Sequence, residues 1–309
     1  MRLVTRSDFD GLACAVLLKE LDLINDFLFA HPKDLQDGKV EVDQNDVLAN
    51  VPYVPGAGLW FDHHTSEFDR LKGKQQAEGL SKAAPSCARV IWEYYGGLER
   101  FDERLLPMME AVDKVDSADL TSEEILNPPP WILLGYLMDP RTGLGRFRDY
   151  RISNYQLMLD MIEHCRSMDA EEILALPDVQ ERVRRYEDQN ERFRQMLVKR
   201  SSQVKNLVVI DLRHQDVIYS GNRFLVYTMF PDCNVSLQII WGFRRQNVVF
   251  TVGHSILNRT CAIDVGKLML EYGGGGHRSV GTCQIDHKLA DEVRQALVEK
   301  LTAGGGRKA

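Results

Sequence analysis

Asp62, His63 and His64 directly follow an apolar stretch at residues 58–61 and form the strongest candidate for chemistry in this chain. A carboxylate and two imidazoles can bind a divalent metal ion, and an imidazole favours Mn²⁺ or a similar ion. Stability alone gives little reason to place three such residues directly after a buried strand. The triplet therefore predicts a metal or phosphate site.

A second acidic segment lies near the start of the chain, where Asp8 and Asp10 precede Gly11 and a helical pattern. Hard cations such as Mn²⁺ or Mg²⁺ prefer oxygen ligands, so both carboxylates are candidate metal ligands. Taken alone, the sequence Asp-x-Asp-Gly is at least as typical of a turn that caps a helix.

Four consecutive glycines, residues 273–276, precede His277 and Arg278. One glycine would be an ordinary end to a helix, whereas four allow several backbone N–H groups to converge on an anion. The imidazole and the guanidinium would add donors, and a guanidinium can bind phosphate through two hydrogen bonds. Arg259 is a further candidate for anion binding. The alternatives are a flexible glycine loop and an ordinary surface arginine.

Short apolar runs alternate with helical spacing in the first part of the chain, which is typical of an α/β fold with a parallel sheet. Ligands bind beyond the carboxyl ends of such strands, so polar residues that follow the strands should share one rim. These residues are Arg6, Asp8, Asp10, Asn50, Asp62, His63 and His64. Asp46 begins its strand and is therefore predicted at the opposite edge.

The rest of the chain predicts two more regions. Residues 98–205 are almost wholly helical in pattern and end in a long charged segment, residues 179–204, that we interpret as a solvated connector helix. Strand signals return at residues 206–210, 235–241 and 248–252. We predict an α/β domain with a helical extension over residues 1–178 and a smaller α+β domain over residues 205–303.

The bulk composition narrows the classes of partner. The net charge of −7 argues against long duplex nucleic acid, which needs a basic face. A metal site can still make a cleft locally positive for a small anion. The six scattered cysteines form no CxxC pair, and no apolar run approaches the ~20 residues of a membrane helix. We expect a cytoplasmic protein with reduced thiols, no signal peptide and no membrane partner.

These motifs, in this order, resemble the DHH phosphoesterase superfamily with a DHHA1 C-terminal domain, over roughly residues 2–120 and 205–285. Relatives include RecJ-type exonucleases, nanoRNA and pAp phosphatases, cyclic-dinucleotide phosphodiesterases and exopolyphosphatase-like proteins. The resemblance implies a Rossmann-like catalytic domain joined by a long helix to a smaller substrate-binding domain. It also implies hydrolysis of phosphodiester or phosphoanhydride bonds with two Mn²⁺ ions.

The resemblance implies roles for individual residues. The implied metal ligands are Asp8, Asp10, Asn50, Asp62, His63 and Asp113, with Asp116 as the rival of Asp113. The implied catalytic residues are Asp8, Asp10, Asp62, His63 and His64, and His64 would contact the phosphate or the leaving group. The implied substrate contacts are Arg6, His64, Arg259, Gly274, Gly275, Gly276, His277 and Arg278.

Two positions depart from the family pattern. Many relatives carry histidine where this chain has Arg6, and an aspartate that bridges two metals where it has Asn50. An amide offers only a weak, neutral oxygen to a cation, so one metal position should be weakened or lost. Arg6 would then contact substrate phosphate instead.

The sequence predicts a phosphohydrolase that uses one or two Mn²⁺ (or Mg²⁺) ions on a small phosphoester or phosphodiester, such as a short oligonucleotide or a cyclic dinucleotide. One alternative is a nucleotide-binding or regulatory module of the same fold that has lost turnover. Another is an exopolyphosphatase, although the sequence shows no extended basic track for a long polyphosphate.

Overall fold

The computed structural model describes residues 1–64, 67, 70–71 and 77–303. The chain divides into two compact units. The first comprises Met1–Asp119 with Pro128–Tyr186, and the second comprises Leu120–Asn127 with the chain from Glu187 onward. Among the described helices, none combines the length and apolar character needed to cross a membrane.

The first unit is built on a parallel sheet whose described strands lie in the order β2-β1-β3-β4-β5. The strands are β1 (Arg2–Thr5), β2 (Asp26–Phe29), β3 (Asp46–Ala49), β4 (Leu59–Asp62) and β5 (Glu78–Ser81). Val4, Leu48 and Trp60 lie side by side on one face, and the alternate residues Leu3, Val47 and Phe61 are equally buried. Both faces are therefore covered, as the continuous apolar runs predict.

The helices alternate with these strands and continue beyond them. In chain order they are α1 (Phe9–Glu20), α2 (Pro32–Gln36), α3 (Cys87–Tyr94), α4 (Leu106–Asp116), α5 (Ser122–Leu126), α6 (Pro130–Met138), α7 (Asn154–Ser167), α8 (Ala170–Ala175), α9 (Pro177–Arg200), α10 (Leu225–Met229), α11 (Val265–Leu270) and α12 (Ala290–Ala303). Helix α1 is apolar almost all round and nearly wholly buried, which is typical of a helix at the centre of a core. The order confirms the predicted α/β domain.

The long helix differs from its prediction in two ways. Helix α9 ends at Arg200, and residues 201–204 form β6 (Ser201–Val204) instead of a last helical turn. The reason is a tight turn at Lys205, whose φ of 53° lets β6 pair with the next strand. The helix also buries Val179, Val183, Tyr186, Met196 and Leu197. The predicted solvated connector helix is therefore partly buried, and the division between the two units falls inside α9.

The second unit contains a mixed sheet with the described order β10-β11-β9-β8-β7-β6. Its further strands are β7 (Leu207–Asp211), β8 (Val235–Trp241), β9 (Val248–His254), β10 (Gly275–His277) and β11 (Val280–Ile285). Only the β7–β8 pair is parallel among these strands as described. Residues of α11 and α12 pack with the sheet in one apolar core, which confirms the smaller α+β fold.

Candidate active site

The polar residues that follow β1, β3 and β4 meet at one rim of the first sheet. The side-chain amide of Asn50 donates to Asp8 Oδ1 at 3.1 Å, and His63 Nε2 lies 3.7 Å from Asp10 Oδ2. Asp46 lies at the other edge, where it pairs with Arg2. The strand-end prediction is confirmed for these residues.

Asp8 combines two functions at the start of α1. Its Oδ1 accepts the backbone N–H of Gly11 at 2.9 Å, which caps the helix, while Oδ2 lies 3.1 Å from Arg6 Nε. A side chain at Gly11 would place its Cβ 2.0 Å from the carbonyl oxygen of Arg6. The same turn therefore caps α1 and places the Asp8 carboxylate at the rim.

Asp10 is held by the first backbone N–H groups of α3. Its oxygens accept the N–H of Cys87 at 2.9 Å and that of Ala88 at 2.8 Å, because Ser86 caps this helix just before them. Burial and the charges of Asp116 and Asp8 raise the pKa of Asp10 well above its ordinary value, against the effect of the two N–H groups. The carboxylates repel one another, and a cation among them would relieve that repulsion.

His63 is oriented by a hydrogen bond through one ring nitrogen. Its Nδ1 lies 3.2 Å from the carbonyl oxygen of Ala84, which can only accept, so Nδ1 is the donor in this contact. Nε2 lies 3.3 Å from Asp116 Oδ2 and 3.7 Å from Asp10 Oδ2. A histidine fixed through one nitrogen, with the other directed between carboxylates, is arranged as a metal ligand.

Asp62 and His64 form a second pair at the rim. Asp62 is fully buried, and its Oδ1 lies 2.8 Å from His64 Nδ1. Burial lowers the pKa of His64, but the hydrogen bond and the charge of Asp62 raise it by more, so the net shift is upward. The pair fixes the imidazole through Nδ1 and leaves Nε2 for another partner.

The structure separates Asp113 from Asp116, which the sequence could not do. Asp113 accepts hydrogen bonds from Ser86 Oγ at 2.6 Å and from Arg89 Nε at 2.8 Å, one on each oxygen. Asp116, one turn further along α4, lies beside His63 instead. The geometry therefore favours Asp116 as the ligand, although Asp113 is the better match by sequence.

Several buried polar atoms at this rim have no hydrogen-bond partner among the described residues. They are Asn50 Oδ1, Asp62 Oδ2 and His63 Nε2, and Asp8 Oδ2 joins them in making no hydrogen bond, although it is ion-paired with Arg6. Such atoms are rare in folded proteins, and a bound ion is one explanation for them. Ligand atoms of Asp10, His63 and Asp116 lie within 4.8 Å of one another, as do those of Asp62, His63 and His64. The donor set of carboxylates and imidazole fits a divalent cation such as Mn²⁺.

The glycine segment of the second unit is a strand rather than an open loop. Gly275–His277 form the edge strand β10, and a Cβ at Gly274 or Gly276 would lie 2.0 or 2.3 Å from a carbonyl oxygen of β11. Two of the four glycines are thus needed for close pairing. His277 and Arg278 are exposed, and their binding of an anion stays a prediction.

The structure changes the set of candidate arginines at two positions, Arg259 and Arg141. Arg259 Nε donates to the carbonyl oxygen of Ile256 at 3.0 Å, which holds the side chain along its own loop. Arg141 escaped the sequence analysis because it stands outside every motif. It lines a cavity together with Asp8, Asp10 and Asp116, so only the folded chain shows it as a site residue.

No protein-family model and no curated protein matches this sequence. Among solved structures, the chain is similar to a pGpG-specific phosphodiesterase, PggH from Vibrio cholerae, with 48% identity, a TM-score of 0.87, and coverage of 98% of this chain and 99% of that chain. RecJ in complex with Mn²⁺ from Thermus thermophilus is 16% identical, with a TM-score of 0.53 over 98% of this chain and 52% of that one. A DHH-domain protein, described as a member of a family of ribosomal proteins, is 12% identical, with a TM-score of 0.55 over 97% and 85%. The last two show the fold alone.

Proposed function

The chain belongs to the DHH phosphoesterase superfamily with a DHHA1 C-terminal domain, and on that premise we propose that it hydrolyses the phosphodiester bond of a linear dinucleotide such as pGpG. The observation that carries the proposal is the meeting of Asp10, His63 and Asp116 at the rim of the first sheet, where His63 Nε2 has no hydrogen-bond partner among the described residues. Such a cluster is costly to a fold unless a ligand satisfies it. The 48% identity to a pGpG-specific phosphodiesterase indicates the substrate class.

The proposed cofactor is Mn²⁺, held by Asp10, His63 and Asp116, with Asp62 beside them. When bound, a divalent cation polarises a phosphoryl oxygen and lowers the pKa of water. The backbone N–H groups of α3 hold Asp10, and the carbonyl of Ala84 orients His63. These contacts fix the ligands before the ion arrives, which reduces the cost of binding it.

We propose one tight ion rather than two. Asp8 would have to serve a second ion, but Gly11 and Asn50 donate to its Oδ1, and Arg6 lies 3.1 Å from its Oδ2. The guanidinium therefore already supplies positive charge at this carboxylate. Arg6 would place that charge beside the phosphate of the substrate, as its departure from the family pattern suggests.

His64 is the proposed contact to the phosphate or to the leaving group. Asp62 holds its Nδ1 at 2.8 Å, so the ring orientation is fixed and Nε2 is the atom that reaches the substrate. Asp62 thus acts on the reaction partly through His64. The Asp62–His64 pair would also orient His64 for substrate binding in a protein of this fold that has lost turnover.

The family resemblance implies further substrate-binding residues in the second unit. On the resemblance alone we assign Gly274, Gly275, Gly276, His277, Arg278 and Arg259 to this role. His277 and Arg278 are exposed. The cytoplasm is the proposed location, since the six cysteines are free thiols suited to a reducing compartment.

A panel of phosphoesters tests the proposal with the purified chain and Mn²⁺. We expect the linear dinucleotide pGpG to be cleaved to mononucleotides with a higher kcat/KM than the corresponding cyclic dinucleotide, pAp or polyphosphate. Mn²⁺ binding with no turnover of any member would support the alternative of a binding module. Preference for polyphosphate would support the exopolyphosphatase alternative.

A further inference from the structure

Arg141 occupies a fixed position beside the metal-ligand cluster. It lies in a single 3-10 turn, Pro140–Thr142, directly after α6. Asp139 Oδ1 accepts both the backbone N–H of Arg141 and its Nε, each at 2.8 Å, and Thr142 Oγ1 donates to the carbonyl oxygen of Tyr136 at 2.7 Å. These bonds tie the turn to the end of the helix and leave its backbone little freedom.

The packing of α6 against α1 and α4 places this turn beside the metal-ligand cluster. Gly135 lies against α1 and α4 so closely that a Cβ there would be 2.8 Å from the ring of Phe9 and 3.2 Å from Val115. A larger residue at position 135 would force Phe9 or the helix to shift. The cavity lined by Gly135, Asp139 and Arg141 is the same one that Asp8, Asp10 and Asp116 line.

The guanidinium of Arg141 has donors to spare. Its Nε is bound by the two oxygens of Asp139, at 2.8 and 3.1 Å, and its terminal nitrogens make no hydrogen bond to any residue that the structure describes. The side chain of Arg141 is 48% exposed, so its free nitrogens are open to a ligand. A guanidinium is not deprotonated in proteins, and Arg141 is therefore a permanent cation beside Asp8 and Asp116.

We propose that Arg141 binds a non-bridging oxygen of the phosphate that is cleaved, as a second fixed cation of the site besides Arg6; this rests on the proposed function. A single Mn²⁺ leaves the cluster of carboxylates negative, so an entering phosphodiester needs further positive charge. A guanidinium oriented through Nε presents its terminal nitrogens as a fork that matches two phosphate oxygens. Substrates without a phosphate at the rim would gain nothing from it.

If Arg141 were purely structural, it would serve only to pair with Asp139. The structural role and the phosphate-binding role predict opposite changes in Mn²⁺ affinity when Arg141 is removed. If Arg141 faces the phosphate, its removal takes a positive charge away from Asp8 and Asp116, and Mn²⁺ binding stays equal or becomes tighter. If it serves only the fold, its removal disturbs the cluster and weakens Mn²⁺ binding together with stability.

The test compares Arg141→Met and Arg141→Lys with the control Arg148→Met, an exposed arginine further along the same loop. The readouts are the Kd of Mn²⁺ by calorimetry, the inhibition constant of inorganic phosphate, and kcat/KM on pGpG. For Arg141→Met we expect phosphate inhibition to weaken and kcat/KM to fall by about 10- to 100-fold, the loss of one charge-assisted bond. Arg141→Lys should recover part of the loss, and the control should change neither value.

Two outcomes would overturn the proposal: unchanged phosphate inhibition in Arg141→Met, or Mn²⁺ affinity and melting temperature that fall together. If Arg141→Met fails to fold, the double change Asp139→Asn with Arg141→Met removes the negative charge of Asp139 together with the guanidinium beside it, and the same readouts apply. Phosphate and Mn²⁺ binding by calorimetry need no turnover. If the wild type fails to cleave pGpG while Arg141→Met still weakens phosphate binding, that result would refute the proposed function and support this inference.

Discussion

Both ends of the first sheet contain buried aspartates, but these aspartates differ in their hydrogen-bond partners. At the amino end, Asp46 is 2% exposed and accepts Arg2 Nε at 2.7 Å, Arg2 Nη2 at 2.8 Å and the N–H of Asp43 at 2.8 Å. At the carboxyl end, Asp62 is fully buried and keeps one oxygen without a partner among the described residues. Residue type and burial are the same, and only the set of partners differs.

The pKa shifts express this difference. Burial raises the pKa of Asp46, but the bonds from Arg2 and Asp43 lower it by more, so the net shift is downward. For Asp10, burial and like charges prevail over its N–H bonds, and the pKa rises. The buried carboxylate that serves the fold has a cation beside it, whereas Asp10 lies among like charges that a bound cation would offset.

His63→Ala should have the largest effect, because it removes the nitrogen that lies between two carboxylates. We expect loss of tight Mn²⁺ binding and a fall in kcat/KM of at least about 100-fold, since loss of a residue that only orients a metal ligand already costs about 10- to 100-fold. The melting temperature should change little. The measurements are calorimetric Mn²⁺ titration, pGpG turnover and thermal unfolding.

A variant with full Mn²⁺ binding and activity but a much lower melting temperature would show that His63 is structural. The difference between the two ends of the sheet would then have no functional meaning. Asp46→Asn is the matched control, since it alters a buried aspartate at the other end and should leave both Mn²⁺ binding and turnover intact.

Asp116→Asn against Asp113→Asn sharpens the comparison within one helix. Asp116→Asn should weaken Mn²⁺ binding by about 10- to 100-fold, because a neutral amide replaces a carboxylate ligand. Asp113→Asn should instead lower the free energy of unfolding by about 1–3 kcal/mol, through its bonds to Ser86 and Arg89. Calorimetry and urea unfolding of both variants decide the matter, and the reverse pattern would restore Asp113 as the ligand.

Arg6→His combined with Asn50→Asp should add a metal position. The double change replaces a fixed cation with a neutral imidazole and an amide with a carboxylate, so two obstacles to a second ion disappear together. Each single change should do less, since one obstacle remains. Mn²⁺ stoichiometry of all four proteins at one pH is the measurement, and a wild type that already binds two ions tightly would contradict the assignment.

Asp46→Asn should have the smallest effect, confined to stability. Because Arg2 is one-third exposed, solvent screens the pair, and we expect a loss of about 1–2 kcal/mol at pH 7. The folded-state pKa of Asp46 is lowered, so its contribution is present above the unfolded pKa of about 3.9 and disappears as pH falls through the folded value. Urea unfolding of the wild type and of Asp46→Asn at pH 7 and near pH 3 is the measurement. The difference in the free energy of unfolding should be smaller near pH 3, and a difference independent of pH would exclude the charge of Asp46 as its cause.

Much of the first unit could be predicted from sequence. The short apolar runs of the first part of the chain form neighbouring parallel strands, and Asp8, Asn50 and Asp62 lie at one rim because parallel strands share their direction. The same rule placed Asp46 at the far edge. These features follow from local pattern and sheet geometry alone.

Other features depend on tertiary contacts that no local pattern encodes. Asp113 and Asp116 lie three positions apart on one helix, and only the packing of Arg89 against Asp113 separates their roles. Arg141 reaches the site because α6 is seated through Gly135. The end of α9 was missed because residues 201–204 gain strand partners from β7, which outweigh their helical pattern.

Titration of the metal-free protein with Mn²⁺, with cleavage of pGpG followed at each point, tests most directly that the unpaired rim is the metal centre of a phosphodiesterase. We predict no cleavage before Mn²⁺ is added, and a rate that saturates when one ion is bound per chain. The Asp46→Asn control should give the same curve, while His63→Ala should give neither tight binding nor cleavage at that stoichiometry. Full cleavage in the presence of a chelator, or a rate that rises only after a second ion binds, would contradict the account.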